Sequence, residues 1–343
     1  MNIAIIGYGG MGRYHFERVQ KNGYLNVIGI YDIDQERCNI ALRDGLKVYK
    51  SYQEIALDNN IEGVLIATPN DVHAFYIEYF AKKGLKVLCE KPVVRNAQEF
   101  EELLNKTGQS VFAINQNRRF DADYITARKI IQSEKIGKIN RIQSSVTGAN
   151  GVPGGWRKLI EHGGGMMLDW GVHLIDQICC IYPKFSALRC TYSYVLGFDV
   201  EDGFVADLFT NDGVQITIEV QTNDFIGADR WKIFGRDGSA VIKNWDLEGN
   251  IILPVYNSQA EIVSIQAGNG LTKTMAYRSH NSVEVLPLPK VEADCEAIYR
   301  NFAEAKSNDD LIVRHEEALR VLKIMDKCKQ SAQKGGQLIE VEL

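Results

Sequence analysis

Ile3-Ala4-Ile5-Ile6 is a short unbroken apolar run. It leads at once into Gly7-Tyr8-Gly9-Gly10-Met11-Gly12 and a helical stretch from Met11 to about Gln20. The same succession recurs along the first third of the chain. Val27–Tyr31 ends in Asp32, and Gly63–Ala67 ends in Thr68-Pro69-Asn70-Asp71. Leu85–Cys89 ends in Glu90-Lys91-Pro92, and Val111–Ile114 ends in Asn115-Gln116-Asn117-Arg118-Arg119-Phe120. Apolar runs of strand length, separated by helical stretches, predict strands buried on both faces of a parallel, doubly wound α/β sheet. This first domain is expected over about residues 1–120.

The pattern changes from about Lys138. Val214-Gln215-Ile216-Thr217-Ile218-Glu219-Val220 alternates apolar and polar, the mark of a strand with one buried face. Asn211-Asp212-Gly213 joins it to Phe204–Phe209 as a hairpin, and Arg236-Asp237-Gly238 joins Trp231–Phe234 to Ala240–Ile242. Residues 121–343 are therefore expected to form an α+β domain with a large, mostly antiparallel open sheet. Its helices include one at 165–182 and a last one at about Glu316–Gln333. That last helix carries Leu319, Leu322, Met325 and, partly, Ala318 on one face and stops at Gly335-Gly336.

Composition narrows the function. The chain has 343 residues, enough for two domains, with ordinary hydrophobic (45%) and charged (24%) content. A net charge of −5 without a basic block argues against nucleic acid or an anionic membrane surface as partner. The apolar runs are too short to span a membrane. Asn2–Ile6 reads as a buried strand with no basic start or cleavage site, so a cytoplasmic location is expected. The seven cysteines are scattered and form no CxxC, which argues against a disulfide framework or a metal site.

The opening turn carries the first chemistry. It is a GxGxxG between a strand and a helix, the Rossmann setting. There the first glycine turns the chain, the second admits a pyrophosphate to the backbone, and the third lets helix pack on strand. Free N–H groups of the helix N-terminus then face the phosphates. Asp32 lies twenty residues past Gly12, where an acidic side chain accepts hydrogen bonds from the adenosine ribose. A carboxylate there suits free ribose hydroxyls and repels a 2′-phosphate, so NAD is favoured over NADP. Arg37 leaves NADP open. Ligands of such sheets bind outside the carboxyl ends of the strands, where Asn70, Lys91 and Asn117 all fall.

The second chemistry is in Gly163-Gly164-Gly165-Met166-Met167-Leu168-Asp169-Trp170-Gly171-Val172-His173. On a helix Asp169 and His173 share one face, and Asp176 extends it by a turn. An imidazole held and charge-stabilised by a carboxylate can deprotonate an alcohol near neutral pH. Taken alone, such a pair is more often an ordinary salt bridge. Lys91 lies in a turn, where it would either donate to a substrate oxygen or pair with Glu90 at the surface.

Four stretches together resemble one family. Gly7–Gly12, Glu90-Lys91-Pro92, Asn117-Arg118-Arg119-Phe120 and Gly163–His173 are similar to the glucose–fructose oxidoreductase/inositol dehydrogenase/rhizopine-catabolism family of NAD(P)-dependent oxidoreductases. The resemblance covers nearly the whole chain. It implies oxidation of a secondary hydroxyl of a sugar, polyol or sugar derivative, with hydride passing to the nicotinamide. His173 is then the acid/base, Asp169 its partner and Lys91 a donor to the reacting oxygen. Gly7, Tyr8, Gly9, Gly10, Met11, Gly12, Asp32, Thr68, Asn70, His73, Glu90, Lys91 and Asn117 would hold the cofactor, and Pro92 would follow a cis peptide. Ala122 stands where many members have proline. The resemblance also implies that the last helix returns to the first domain, and that the chain is a homo-oligomer, dimer or tetramer.

Trp156, Arg157 and His162 are candidates for the substrate pocket: indole can stack on a sugar face and guanidinium can bind a hydroxyl pair or a carboxylate. A mixed-charge surface loop reads equally well there. His15, His280 and His315 read as surface or capping histidines. Two other functions stay open. One is a glycosidase-type enzyme that uses NAD for a transient oxidation; the other is a non-catalytic nucleotide-binding regulator.

Overall fold

The unbroken apolar runs become the centre of one parallel sheet. In the computed structural model, which describes residues 1–255 and 264–342, β1 (Asn2–Ile6), β2 (Asn26–Tyr31), β3 (Lys47–Val48), β4 (Gly63–Ile66), β5 (Lys86–Glu90) and β6 (Phe112–Asn115) alternate with helices. These helices are α1 (Gly10–Asn22), α2 (Gln35–Arg43), α3 (Tyr52–Leu57), α4 (His73–Ala81) and α5 (Ala97–Thr107). The strands pair in the order β3-β2-β1-β4-β5-β6, all parallel. Every residue of β4 and β6 is buried, as strands covered by helices on both faces require. The strand order reverses between β1 and β4, and the carboxyl ends there open the crevice where such sheets bind ligands.

Helix α6 (Ala122–Gln132) leads to the second sheet, built from β7 (Ile139–Thr147), β8 (Phe185–Ser193), β9 (Gly203–Thr210), β10 (Gln215–Gln221), β11 (Trp231–Gly235), β12 (Gly238–Ile242) and β13 (Gly249–Pro254). A separate ribbon, β14 (Ile265–Ala267) with β15 (Gly270–Thr272), precedes β16 (Val283–Pro287), and β17 (Ile339–Glu340) closes the far edge. The nine strands run β16-β13-β12-β11-β7-β10-β9-β8-β17. The pairs are antiparallel except β7 with β10. That parallel pair exists because the chain leaves β7, makes a long crossover and returns through β8 and β9. In β10 alternate residues, Ile216, Ile218 and Val220, are buried, as the alternation predicts.

The helix expected over 165–182 runs without a break from Met166 to Cys179, but it is not regular throughout. Met167–Gly171 form a π-turn, and a regular helix, α7 (Val172–Cys179), follows. Gly171 is needed at the junction, because a Cβ there would come within 2.7 Å of the Met167 sulfur and 3.1 Å of the Phe204 ring.

Two C-terminal helices knit the sheets together. In α8 (Ala297–Glu304), Tyr299 hydrogen-bonds His15 of α1 at 2.7 Å. In α9 (His315–Gln333), Asp326 accepts from the Ala97 N–H at the start of α5 (2.9 Å), and Ser331 accepts from the Cys190 N–H in β8 (2.8 Å). His15 and His315 are thus not surface residues. His15 is fully buried, and His315 hydrogen-bonds the Phe112 carbonyl (2.8 Å) and stacks on its ring. Among the described residues, no helix is long and apolar enough to cross a membrane.

Asp176 does not extend the face of His173. It turns to Arg119, whose guanidinium grips it with two hydrogen bonds of 2.7 and 2.6 Å and also reaches Glu317 of α9 at 2.7 Å. This ion triad ties the segment after β6 to both α7 and α9. Arg119→Met leaves a buried carboxylate uncompensated. We expect a loss of about 3–5 kcal/mol in stability, read by denaturant unfolding; a midpoint unchanged from wild type would contradict this role.

Candidate active site

The glycine turn is built by steric exclusion. Gly7 has φ +90, and a Cβ there would lie 2.7 Å from the Ala67 carbonyl oxygen. A Cβ on Gly12 would overlap the Gly7 carbonyl oxygen. At Gly10 a Cβ would meet nothing within 4 Å, so the chain is open on that side. Helix α1 starts with no side-chain cap and no acidic residue in its first turn, which leaves its N–H groups and positive dipole end for an anion. Asp32 is fixed at the end of β2 by the backbone N–H groups of Tyr8 (2.6 Å) and Asp34 (2.8 Å). Arg37 lies 3.6 Å from Asp32 and within 3.4 Å of where a Gly9 Cβ would be. The Tyr8 side chain itself is core; its hydroxyl donates to Asp44 (2.8 Å), and burial pushes its pKa up. A free helix terminus, a turn that only glycine fits and a ribose-spaced carboxylate suit a dinucleotide.

The turn after β5 is braced from behind. Glu90 is buried and accepts from Asn115 (2.6 Å) and the Lys91 N–H (3.2 Å), with His15 at 2.7 Å. Burial acts to raise its pKa, but His15, Lys91 and Asn115 outweigh it and hold the group below the ordinary carboxylate value. The Lys91–Pro92 peptide is cis. His73 is fully buried, with one ring nitrogen on the Pro92 carbonyl (2.9 Å) and the other on that of Thr68 (3.0 Å). Burial keeps its pKa low despite those two acceptors. A neutral ring has one N–H, so one of these contacts is a hydrogen bond and the other a close approach; together they seat His73 between the two loops.

The glycines at 163–165 let the second domain approach the first. Asn70 is buried and donates to the Gly163 carbonyl (2.9 Å), and His162 bonds Asp71 (3.0 Å). Asn70 and His162 therefore act as latches across the crevice. Gly165 has φ +103, and a Cβ there would overlap the Glu201 carboxylate, which accepts from the Met167 N–H at 2.9 Å. Glu201 so holds the start of the π-turn.

The pairing expected between Asp169 and His173 is not made. Lys91 Nζ donates to the Asp169 carbonyl (2.9 Å) and to its Oδ1 (3.2 Å), and Arg157 Nε lies 3.4 Å from Oδ2. Two features explain this. The π-turn changes the side-chain spacing that a regular helix would give. Two cations also attract one carboxylate more strongly than a neutral imidazole does. Burial favours the neutral acid at Asp169, but Lys91 and Arg157 override it and hold the pKa below its ordinary value. His173 is buried, and its Nδ1 has no hydrogen-bond partner among the described residues. Burial first, then Lys91, Arg118 and Arg230, push its pKa well below that of a free imidazole, so it is neutral at pH 7.

Of the neighbouring cations, Arg230 is one that carries no local sequence signal. Arg118 lies over the rings of Trp170 (4.3 Å) and Trp245 (5.3 Å) and pairs with Asp121 at 2.8 Å. Arg230 is buried against Trp231 and Trp245, pairs with Asp123 at 3.0 Å and donates to Ser144 (2.7 Å). Burial lowers its pKa to about 10, still protonated at neutral pH. Arg157 lies over the Trp156 ring at 4.7 Å. Thr68 Oγ1 and Asn117 Oδ1, both near strand ends, are buried without partners among the described residues. Among those residues no cluster of His, Cys, Asp and Glu could hold a metal ion.

Known proteins share this fold. Residues 1–113 match the model described as "Oxidoreductase family, NAD-binding Rossmann fold", and residues 124–241 match "GFO/IDH/MocA C-terminal domain". The crystal structure of an NAD-binding protein from Listeria innocua is similar at 36% identity over 99% of both chains, with a TM-score of 0.93. An uncharacterized oxidoreductase of Schizosaccharomyces pombe is 34% identical over 40% of this chain and 38% of its own. The scyllo-inositol 2-dehydrogenase (NADP+) of Bacillus subtilis is 24% identical over 97% of this chain and 94% of its own. Matched in both its sheets and over its whole length, the chain belongs to the Gfo/Idh/MocA family of NAD-binding oxidoreductases.

Proposed function

We propose that this oxidoreductase oxidises a secondary hydroxyl of a sugar, polyol or sugar derivative, with His173 as the base. The observation that carries the reading is the buried imidazole of His173, unpartnered at Nδ1 among the described residues and close to Lys91, which with burial holds its pKa low. The glycine turn, the N-terminus of α1 and Asp32 hold the dinucleotide; Thr68 and Asn117 lie toward its nicotinamide end. Bound NAD supplies the acceptor for the hydride that leaves the carbinol carbon. Lys91 donates a hydrogen bond to the hydroxyl oxygen and stabilises its developing negative charge. His173 takes the hydroxyl proton. Asp169 serves Lys91, fixing its ammonium, and leaves the imidazole free.

A relative's inositol dehydrogenase name supports a polyhydroxylated ring as substrate. The same name carries NADP+, but Asp32 here, pinned by two backbone N–H groups, opposes a 2′-phosphate. We expect a higher kcat/KM with NAD than with NADP, and Asp32→Ala to narrow the ratio. A wild-type preference for NADP would contradict the assignment of Asp32.

His173→Ala and Lys91→Ala should each lower turnover by ~10²-fold or more, the usual size of acid–base catalysis. For His173→Ala, NAD affinity, followed by fluorescence titration, should stay near wild type. Wild-type rates in both variants would sink the proposal.

The pH dependence has a definite sign. The base must be unprotonated, and its pKa lies well below the ordinary 6.5. The rate kcat/KM for oxidation should therefore stay flat from neutral pH down past 6.5, falling only in more acid buffer. An acid limb centred at or above 6.5 would point to another base.

A further inference from the structure

Four cations, Lys91, Arg118, Arg157 and Arg230, lie about the site, and the carboxylates paired with them are Asp169, Asp121 and Asp123. Asp169 is shared by Lys91 and Arg157, and Lys91 also lies in the field of the buried Glu90. The four cations differ in exposure. Arg230 and Lys91 are largely enclosed, with side chains 3% and 14% accessible, while Arg118 and Arg157 are 28% and 29% accessible.

Both accessible guanidiniums are laid against indole rings, Arg118 on Trp170 and Trp245 and Arg157 on Trp156. Stacking fixes the plane of a guanidinium and leaves its edge N–H groups as donors. Arg157 Nε lies 3.4 Å from the Asp169 carboxylate, and its two terminal nitrogens carry no hydrogen bond to the described residues. A neutral polyol entering here would strip water from two cations without replacing the lost solvation of the charge. An anion would both replace it and fill the vacant fork.

We propose that the natural substrate is a sugar or polyol bearing an anionic group, a carboxylate or a phosphate ester, gripped by the edges of Arg118 and Arg157. The inference rests on the hydroxyl-oxidising reading above and gives that reading its substrate class. Binding of the anion also reduces the positive field that Lys91, Arg118 and Arg230 exert on His173, making it a stronger base in the complex; Asp169 stays engaged by Lys91 and Arg157.

The test is a matched panel: D-glucose, D-galactose and D-mannose, each as the neutral hexose, the hexuronate and the 6-phosphate. NAD reduction is measured for each, with isothermal titration of the same compounds into the enzyme–NADH complex. In at least one series an anionic member should exceed its neutral parent by about tenfold or more in kcat/KM, the size of one charge-assisted contact. Which anion wins, hexuronate or phosphate, identifies the group. Arg157→Gln and Arg118→Gln should narrow the anionic-to-neutral ratio mainly through KM. Arg157→Lys, which keeps the charge without the fork, should restore part of it. The advantage should also shrink as salt rises. Neutral hexoses oxidised and bound as well as their anions in every series would overturn the inference and leave the oxidation reading intact. Failure of NAD reduction with every compound would overturn both.

Discussion

The ion pair from Lys91 to Asp169 is the contact on which the site depends. It joins the turn after β5 to the π-turn before α7, two segments 78 residues apart. Lys91 also binds the Asp169 backbone carbonyl, so it fixes the main chain of the turn as well as the side chain. Both partners are mostly withdrawn from water, where such a pair survives only with good geometry and further hydrogen bonds. Here Arg157 supplies the second partner of Asp169.

One consequence concerns His173. A carboxylate committed to two cations has little left for an imidazole, and the π-turn takes it out of line. The imidazole then sits buried and uncharged, without a partner at Nδ1 among the described residues. An unpaired buried polar atom costs free energy, so a site that keeps one is holding a group ready for a ligand. Its basicity is set by the cations around it as much as by burial.

The supporting structure follows the same logic of long-range polar contacts. Glu90 is held by His15 of α1 and Asn115 at the end of β6, and Tyr299 of α8 closes the network on the other side of His15. Helix α1, the Lys91 turn, the end of β6 and α8 thus share one buried set of hydrogen bonds. Asn70 to Gly163 and His162 to Asp71 span the crevice in front. Movement of the two sheets relative to each other would have to break these latches.

The features legible in the residues alone were local or periodic. The apolar runs placed β1, β2, β4, β5 and β6, the alternation placed β10, and the polar turns marked the crevice. The glycine turn and Asp32 were legible because the steric needs of a dinucleotide site fall within a few dozen residues. Pairing between distant residues was settled by how the chain packs. Nothing near Asp169 announces that Lys91 and Arg157 will claim it. Nothing in the residues flanking Arg230 marks it as a cation of the site, because its partner Asp123 lies on α6 and its acceptor Ser144 on β7. His15 looked like a surface residue until Glu90 and Tyr299 closed around it. The reason is physical: periodicity reports which face of an element is buried, whereas the partner of a buried charge is chosen by how the elements pack.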